Sequence, residues 1–281
     1  MKAGVVGAGL MGSEIALVFA LAGHEVLLHD RSDAALAGAI ERLRSILDKG
    51  VSRQFYTAQA ASGALARIAP VSSLAAMADC AIVTEAVYES LETKAGVLRA
   101  LDEACQPGCI LASNTSTLPI STLATFVSAE RRARFLGTHY FSPVSRMKLV
   151  EVIPAFFTDA GVAEEVMALL AGLGKEPVRV KDVAGFAVNR MLHAMLIEAV
   201  KLVEEGVATP GDLDAACRLG LGHPIGPFAM MDIVTSDLCL QVQEILHDAY
   251  GERFRPPALL KQRVAAGLGG GRGRPGWTGD K

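Results

Sequence analysis

Short apolar runs alternate with longer amphipathic stretches over the first two thirds of this chain. The spacing predicts strands at 3–8, 25–28, 80–84, 109–113, 135–138, 149–153 and 176–180. Between them, apolar positions recur with helical spacing at 11–21, 34–49, 91–104 and 162–173. Brief apolar runs ended by glycine or charge read as strands buried on both faces. Strands alternating with helices predict a doubly wound, mostly parallel α/β sheet covered on both sides. The rhythm changes after Asp182-Val183-Ala184-Gly185-Phe186. From there the pattern is helical at 187–205, 210–218, 230–250 and 256–266, with a Pro/Gly-rich elbow at 220–227. Two domains follow, 1–184 and an all-α 185–281. The Gly/Arg-rich tail from Gly267 is expected to be mobile.

The first strand runs into Gly7-Ala8-Gly9-Leu10-Met11-Gly12, a G-x-G-x-x-G sequence. It lies between a strand and a helix, and Asp30 ends the next strand about 20 residues later, the arrangement of a Rossmann dinucleotide site. Gly7 permits the tight turn, Gly9 the approach of the pyrophosphate, and Gly12 the packing of helix on strand. The free N–H groups of the helix start, from Leu10 and Met11 onward, suit a pyrophosphate. Asp30 suits the ribose hydroxyls and disfavours a 2′-phosphate, so NAD is expected over NADP, a preference that Arg31 weakens. A second group of residues points to proton transfer. His139 ends one apolar run and Glu151 lies inside the next. An imidazole oriented by a carboxylate moves protons near neutral pH. The two lie on different predicted strands, so the pattern alone leaves their meeting open.

Composition narrows the class. Of 281 residues, 51% are hydrophobic and 20% charged, a core-forming composition. The net charge of −3 gives no argument for nucleic acid or an anionic membrane. Five cysteines, none in a C-x-x-C pair, read as buried thiols in a reducing compartment rather than metal ligands. Four glycines and Glu14 interrupt the apolar start, and no apolar run is long enough to span a bilayer. A soluble cytoplasmic protein without a metal centre is expected.

The segments Gly137-Thr138-His139-Tyr140-Phe141-Ser142-Pro143, Lys148 to Val152, Ala112-Ser113-Asn114-Thr115-Ser116, Asp182 to Arg190 and Gly222-His223-Pro224-Ile225-Gly226-Pro227-Phe228 occur in one order. Together they resemble the L-3-hydroxyacyl-CoA dehydrogenase family, over residues 1 to about 266. The resemblance implies an NAD-dependent oxidoreductase of fatty-acid β-oxidation that interconverts (S)-3-hydroxyacyl-CoA and 3-oxoacyl-CoA, with no attached hydratase. It implies His139 as general base, Glu151 as its orienting carboxylate, Ser116 on the substrate oxygen and Asn189 on the substrate carbonyl. Asn114, Ser142, Glu89 and Lys94 fall where the family meets the cofactor. Lys49 falls where it meets the CoA phosphates. Arg42, where relatives carry a serine, is expected to bind phosphate, with Arg44 beside it. The family habit implies a homodimer through the helical domain.

Two departures stand out. Many relatives carry Asn at the position of Ser142. The tail here reads Gly269-Gly270-Gly271-Arg272-Gly273-Arg274-Pro275-Gly276-Trp277 and lacks the family's lysine, for which Arg272 is the substitute. These changes leave two other readings compatible: a same-fold dehydrogenase of a small non-CoA hydroxy acid, and a low-turnover NAD-binding structural or sensor protein. The remaining histidines, His24, His29, His193, His223 and His247, read as structural.

Overall fold

The computed structural model describes residues 1–279. They divide into two compact units, Met1–Val183 and a second that begins at Ala184, one residue before the expected boundary.

The first unit is built on one eight-stranded sheet. Its strands are β1 (Lys2–Val6), β2 (Glu25–His29), β3 (Ile68–Val71), β4 (Ile82–Glu85), β5 (Ile110–Ser113), β6 (Phe135–Tyr140), β7 (Leu149–Pro154) and β8 (Glu176–Arg179). They lie in the order β3-β2-β1-β4-β5-β6-β7-β8. Every neighbouring pair is parallel except β6 and β7. The exception has a simple cause: residues 141–148 are too few for a parallel crossover, so β7 returns antiparallel. The principal helices are α1 (Leu10–Leu21), α2 (Asp33–Ser52), α3 (Ala58–Ala66) and α4 (Leu91–Ala104). The short α5 (Ile120–Leu123) and α6 (Ala129–Arg132) precede α7 (Ala160–Gly172). Ser32, Thr57, Ser90 and Asp159 each cap a helix by accepting a backbone N–H from its first turn. Val5, Ile15, Phe19, Leu28 and Leu43 fill the core at 0–1% exposure.

The pattern of apolar residues does not predict α3 or β3. The first is rich in Ala, Gly and Ser, which gives a weak stripe. The second contains Pro70 and survives because it is an edge strand, where a missing N–H is tolerated.

The second unit contains α8 (Val188–Glu204), α9 (Pro210–Gly220), α10 (Pro227–Val234), α11 (Ser236–Tyr250) and α12 (Ala258–Ala265). The single helix expected over 230–250 is therefore two. Thr235 breaks it with φ +78°, and its hydroxyl then caps α11 by accepting from Leu238 N. One apolar cluster gathers Leu196, Val200, Phe228, Met231 and Leu260. A second joins Ile197, Val242, Leu246 and Phe254.

The described part of the tail is hydrogen-bonded to the helices before it. Gly269 O accepts from Ser236 N at 2.8 Å, and Gly271 N donates to Asp232 O at 2.7 Å. Trp277 is 8% exposed. Its backbone N–H donates to Asp232 Oδ1 at 2.7 Å and its indole N–H to Ser236 Oγ at 2.9 Å. Asp280 and Lys281 lie outside the described residues.

Candidate active site

Chain order reverses between β1 and β4, so the carboxyl ends of these strands open a crevice suited to a ligand. The glycine loop lies there, and each glycine has a distinct environment. Gly7 adopts φ +106°, and a Cβ on it would meet Ala86 O at 2.5 Å. A Cβ on Gly12 would meet Gly7 O at 1.8 Å, whereas one on Gly9 would meet nothing within 4 Å. Gly7 and Gly12 thus serve the turn and the packing, and Gly9 leaves open space over the loop. No side chain caps α1, so its first N–H groups, at exposed Leu10 and at Met11, suit an anion. Asp30 steadies the loop: Oδ2 accepts from Ala8 N at 2.8 Å and Oδ1 from Ser32 N at 3.1 Å. The residues present fit a dinucleotide.

Arg42 also belongs to this crevice. Its Nη2 donates to Ala8 O at 2.6 Å. Two turns of helix separate Arg42 from Lys49, and that distance brings it to the glycine loop. Arg44 pairs with Glu41 on the helix surface.

The proton-transfer residues meet. Antiparallel pairing sets His139 directly opposite Glu151, and facing residues of such a pair share one side of the sheet. His139 Nδ1 lies 2.8 Å from Glu151 Oε2, and His139 Nε2 lies 3.0 Å from Ser116 Oγ. His139 is 4% exposed and Glu151 1%, while Ser116 is half-buried. A carboxylate on Nδ1 favours the tautomer with its proton there, which makes Nε2 the accepting nitrogen. Asn114 is buried, and its Oδ1 accepts from Tyr140 N at 2.9 Å, tying the loop after β5 to the end of β6. The Phe141 ring lies 4.5 Å from the imidazole, centroid to centroid. Ser142 is exposed and precedes a cis peptide bond to Pro143.

Glu89 and Lys94 pair with each other. Lys94 is 1% exposed and binds Glu85 at 2.8 Å and Glu89 at 3.2 Å. Glu89 Oε1 in turn accepts from the amides of Ser116 and Thr117 at 2.9 and 3.1 Å. Burial pushes the Glu89 carboxyl up, but the Lys94 charge and hydrogen bonds from Thr115, Lys94 and Ser116 hold it below its ordinary value. Glu85 was not singled out by the sequence, where it reads as the last residue of an apolar strand. Its only signal was a carboxylate adjoining a run otherwise fit for the core.

Exposed Lys49 lines a cavity of about 580 Å³ with Arg53, Arg146, Phe55 and Tyr56. The Arg146 guanidinium lies 5.4 Å from the centre of the Phe55 ring. In the second unit, Asn189 is half-buried in the first turn of α8. Arg272 lines a cavity of about 340 Å³ with the glycine-rich tail and Asp232. Among the described residues, no three His, Cys, Asp or Glu side chains gather as metal ligands.

Two family models match the chain. The NAD-binding domain of 3-hydroxyacyl-CoA dehydrogenase matches residues 2–183, and the C-terminal domain of 3-hydroxyacyl-CoA dehydrogenase matches residues 185–278. The chain is 39% identical over 272 residues to a probable 3-hydroxybutyryl-CoA dehydrogenase of Deinococcus radiodurans, covering 95% of this chain and 96% of the relative. It is 40% identical over 264 residues to a probable 3-hydroxybutyryl-CoA dehydrogenase of Bacillus subtilis, covering 94% and 91%. The crystal structure of (S)-3-hydroxybutyryl-CoA dehydrogenase from Ralstonia eutropha superposes with a TM-score of 0.93 at 38% identity, covering 98% of this chain and 97% of that one.

Proposed function

Because this chain belongs to the 3-hydroxyacyl-CoA dehydrogenase family, we propose that it oxidises (S)-3-hydroxyacyl-CoA thioesters reversibly to 3-oxoacyl-CoA, as in fatty-acid β-oxidation. The observation that carries this reading is the line Ser116 Oγ–His139 Nε2–His139 Nδ1–Glu151, with steps of 3.0 and 2.8 Å. Bound NAD supplies the hydride acceptor, held by Gly7, Gly9, Gly12, Leu10, Met11 and Asp30. His139 Nε2 takes the proton of the 3-hydroxyl as the C–H bond breaks, and returns it in the reverse direction. Glu151 fixes the ring and stabilises the imidazolium. Ser116 holds the substrate oxygen beside Nε2. Asn114 and Ser142 fall to the nicotinamide end, and Asn189, on its sequence motif, to the substrate carbonyl. Lys49, Arg53 and Arg146 offer three positive charges to the phosphates of CoA. All five cysteines are free thiols, which supports a reducing compartment such as the cytoplasm.

The test is NADH oxidation with acetoacetyl-CoA. His139→Gln removes the base and is expected to lower turnover roughly 10²–10⁴-fold while leaving NADH affinity near that of the wild type. Turnover close to wild type in this variant overturns the assignment.

A further inference from the structure

Residues 141–148 join the strand of His139 to the strand of Glu151. Their turn closes at Pro143, whose carbonyl accepts from Arg146 N and from Met147 N, both at 2.9 Å. Val144 is 1% exposed and packs in the core. Two charged side chains from elsewhere in the fold grip the same turn. Glu14, on α1, is buried, and its Oε2 accepts from Ser145 N at 2.8 Å. Lys175, just before β8, is also buried. Its ammonium donates to Val144 O and to Met147 O, the latter at 2.9 Å.

Buried charges cost stability unless they are hydrogen-bonded. Here the backbone of one loop supplies the partners of both. Burial pushes the Lys175 ammonium below its ordinary pKa, and the Glu14 charge works against that shift. The two grips are therefore coupled through charge as well as through the loop. One side of the turn opens on the cavity of about 580 Å³, where Pro143, Ser145 and Arg146 meet Glu14, Lys49 and Arg53. The Arg146 guanidinium lies 5.4 Å from the centre of the exposed Phe55 ring. A cation–π contact at an exposed ring is weak, so the direction of the guanidinium rests on the backbone that carries it. The amide that Glu14 holds belongs to the residue immediately before. Direction matters for arginine, because its planar fork grips a phosphate with two N–H groups only when correctly turned.

We propose that Glu14 is the positioning residue for Arg146: by holding Ser145 N it aims the guanidinium at a phosphate of the CoA nucleotide, with Lys175 fixing the other side of the turn. This deepens, and rests on, the reading of the cavity as the place of the CoA phosphates.

The test uses the full chain and two substrates, acetoacetyl-CoA and acetoacetyl-N-acetylcysteamine, a thioester that carries no phosphate. In Glu14→Ala, amide hydrogen exchange over residues 144–147 is expected to speed up about tenfold or more. The KM for acetoacetyl-CoA rises roughly tenfold, the effect of one misdirected charged contact. On the phosphate-free thioester, kcat/KM falls by less than about threefold. Glu14→Gln keeps an acceptor for Ser145 N and recovers most of the loss. The double variant Glu14→Ala/Arg146→Met binds acetoacetyl-CoA no more weakly than Arg146→Met alone, because both act through one guanidinium. Unchanged exchange, equal losses on the two thioesters, or additive losses in the double variant overturns the proposal. Failure of the cavity reading looks different: exchange speeds up, yet Arg146→Met keeps the wild-type KM for acetoacetyl-CoA, and the role of Glu14 falls with that reading. If Glu14→Ala does not fold, Glu14→Asp keeps the charge but shortens its reach, and carries the same comparison.

Discussion

The two buried imidazoles among the described residues have different neighbours. His139 has Glu151 at 2.8 Å. His193, on α8, is 5% exposed, and its Nδ1 has no hydrogen-bond partner. Burial pushes its pKa down to about 4 from 6.5. Between those values the unfolded chain binds a proton that the folded chain refuses. Stability from this residue is therefore complete above about pH 6.5 and is lost as pH falls toward 4, by ~3 kcal/mol in all. His193→Leu is expected to flatten that acid limb, compared by urea unfolding at about pH 5 and about pH 7.5. An equally steep limb in the variant would assign the loss to other groups. Arg42 supplies a second test at this scale. Since it donates to Ala8 O, Arg42→Met is expected to raise the KM for NADH roughly tenfold, the effect of losing one charged hydrogen bond. The KM for acetoacetyl-CoA should change little. The opposite split would return Arg42 to the CoA side.

At the scale of elements, the break between α10 and α11 carries a measurable strain. Thr235 holds φ +78° and ψ 137°, a region that a β-branched residue adopts only at a cost of about 1–3 kcal/mol. Thr235→Gly removes that cost and loses only a few tenths of a kcal/mol of capping, so the melting temperature should rise. Thr235→Ala keeps the strain and loses the cap, so it should fall. The break also shows what a sequence conceals. Apolar spacing runs on from Met230 to Tyr250, and only the fold of the following tail, whose Gly269 accepts from Ser236 N, requires the turn. Apart from β3, the parallel strands, α1 and the glycine loop were legible because period and punctuation coincide there. His139, Glu151 and Ser116 were legible as motif residues, but their contact depends on the antiparallel register of β6 and β7. The partners of Lys94 were hidden for the same reason: its three acceptors come from β4 and the turn that follows it, and their convergence is a tertiary fact.

For the molecule as a whole, the second unit leaves Met191, Leu219, Leu221 and Ile233 66–84% exposed. Exposed apolar side chains of this size on one helical unit favour association, and we propose a homodimer through these helices. Light scattering should give twice the chain mass, and Leu219→Glu combined with Leu221→Glu should halve it with unchanged far-ultraviolet circular dichroism. A monomeric wild type would end the idea.

The tail described above also makes the protein its own optical probe. Trp277 is the single tryptophan of the chain. It lies against Phe228 at 5.0 Å and under the Arg263 guanidinium at 4.2 Å. Its emission therefore reports on the second unit alone, without a label. Asp232 accepts the backbone N–H groups of both Trp277 and Thr278. In Asp232→Asn the emission should shift to the red at denaturant concentrations where helical signal is still intact, which would show the last turn of the chain coming loose before the helices it covers.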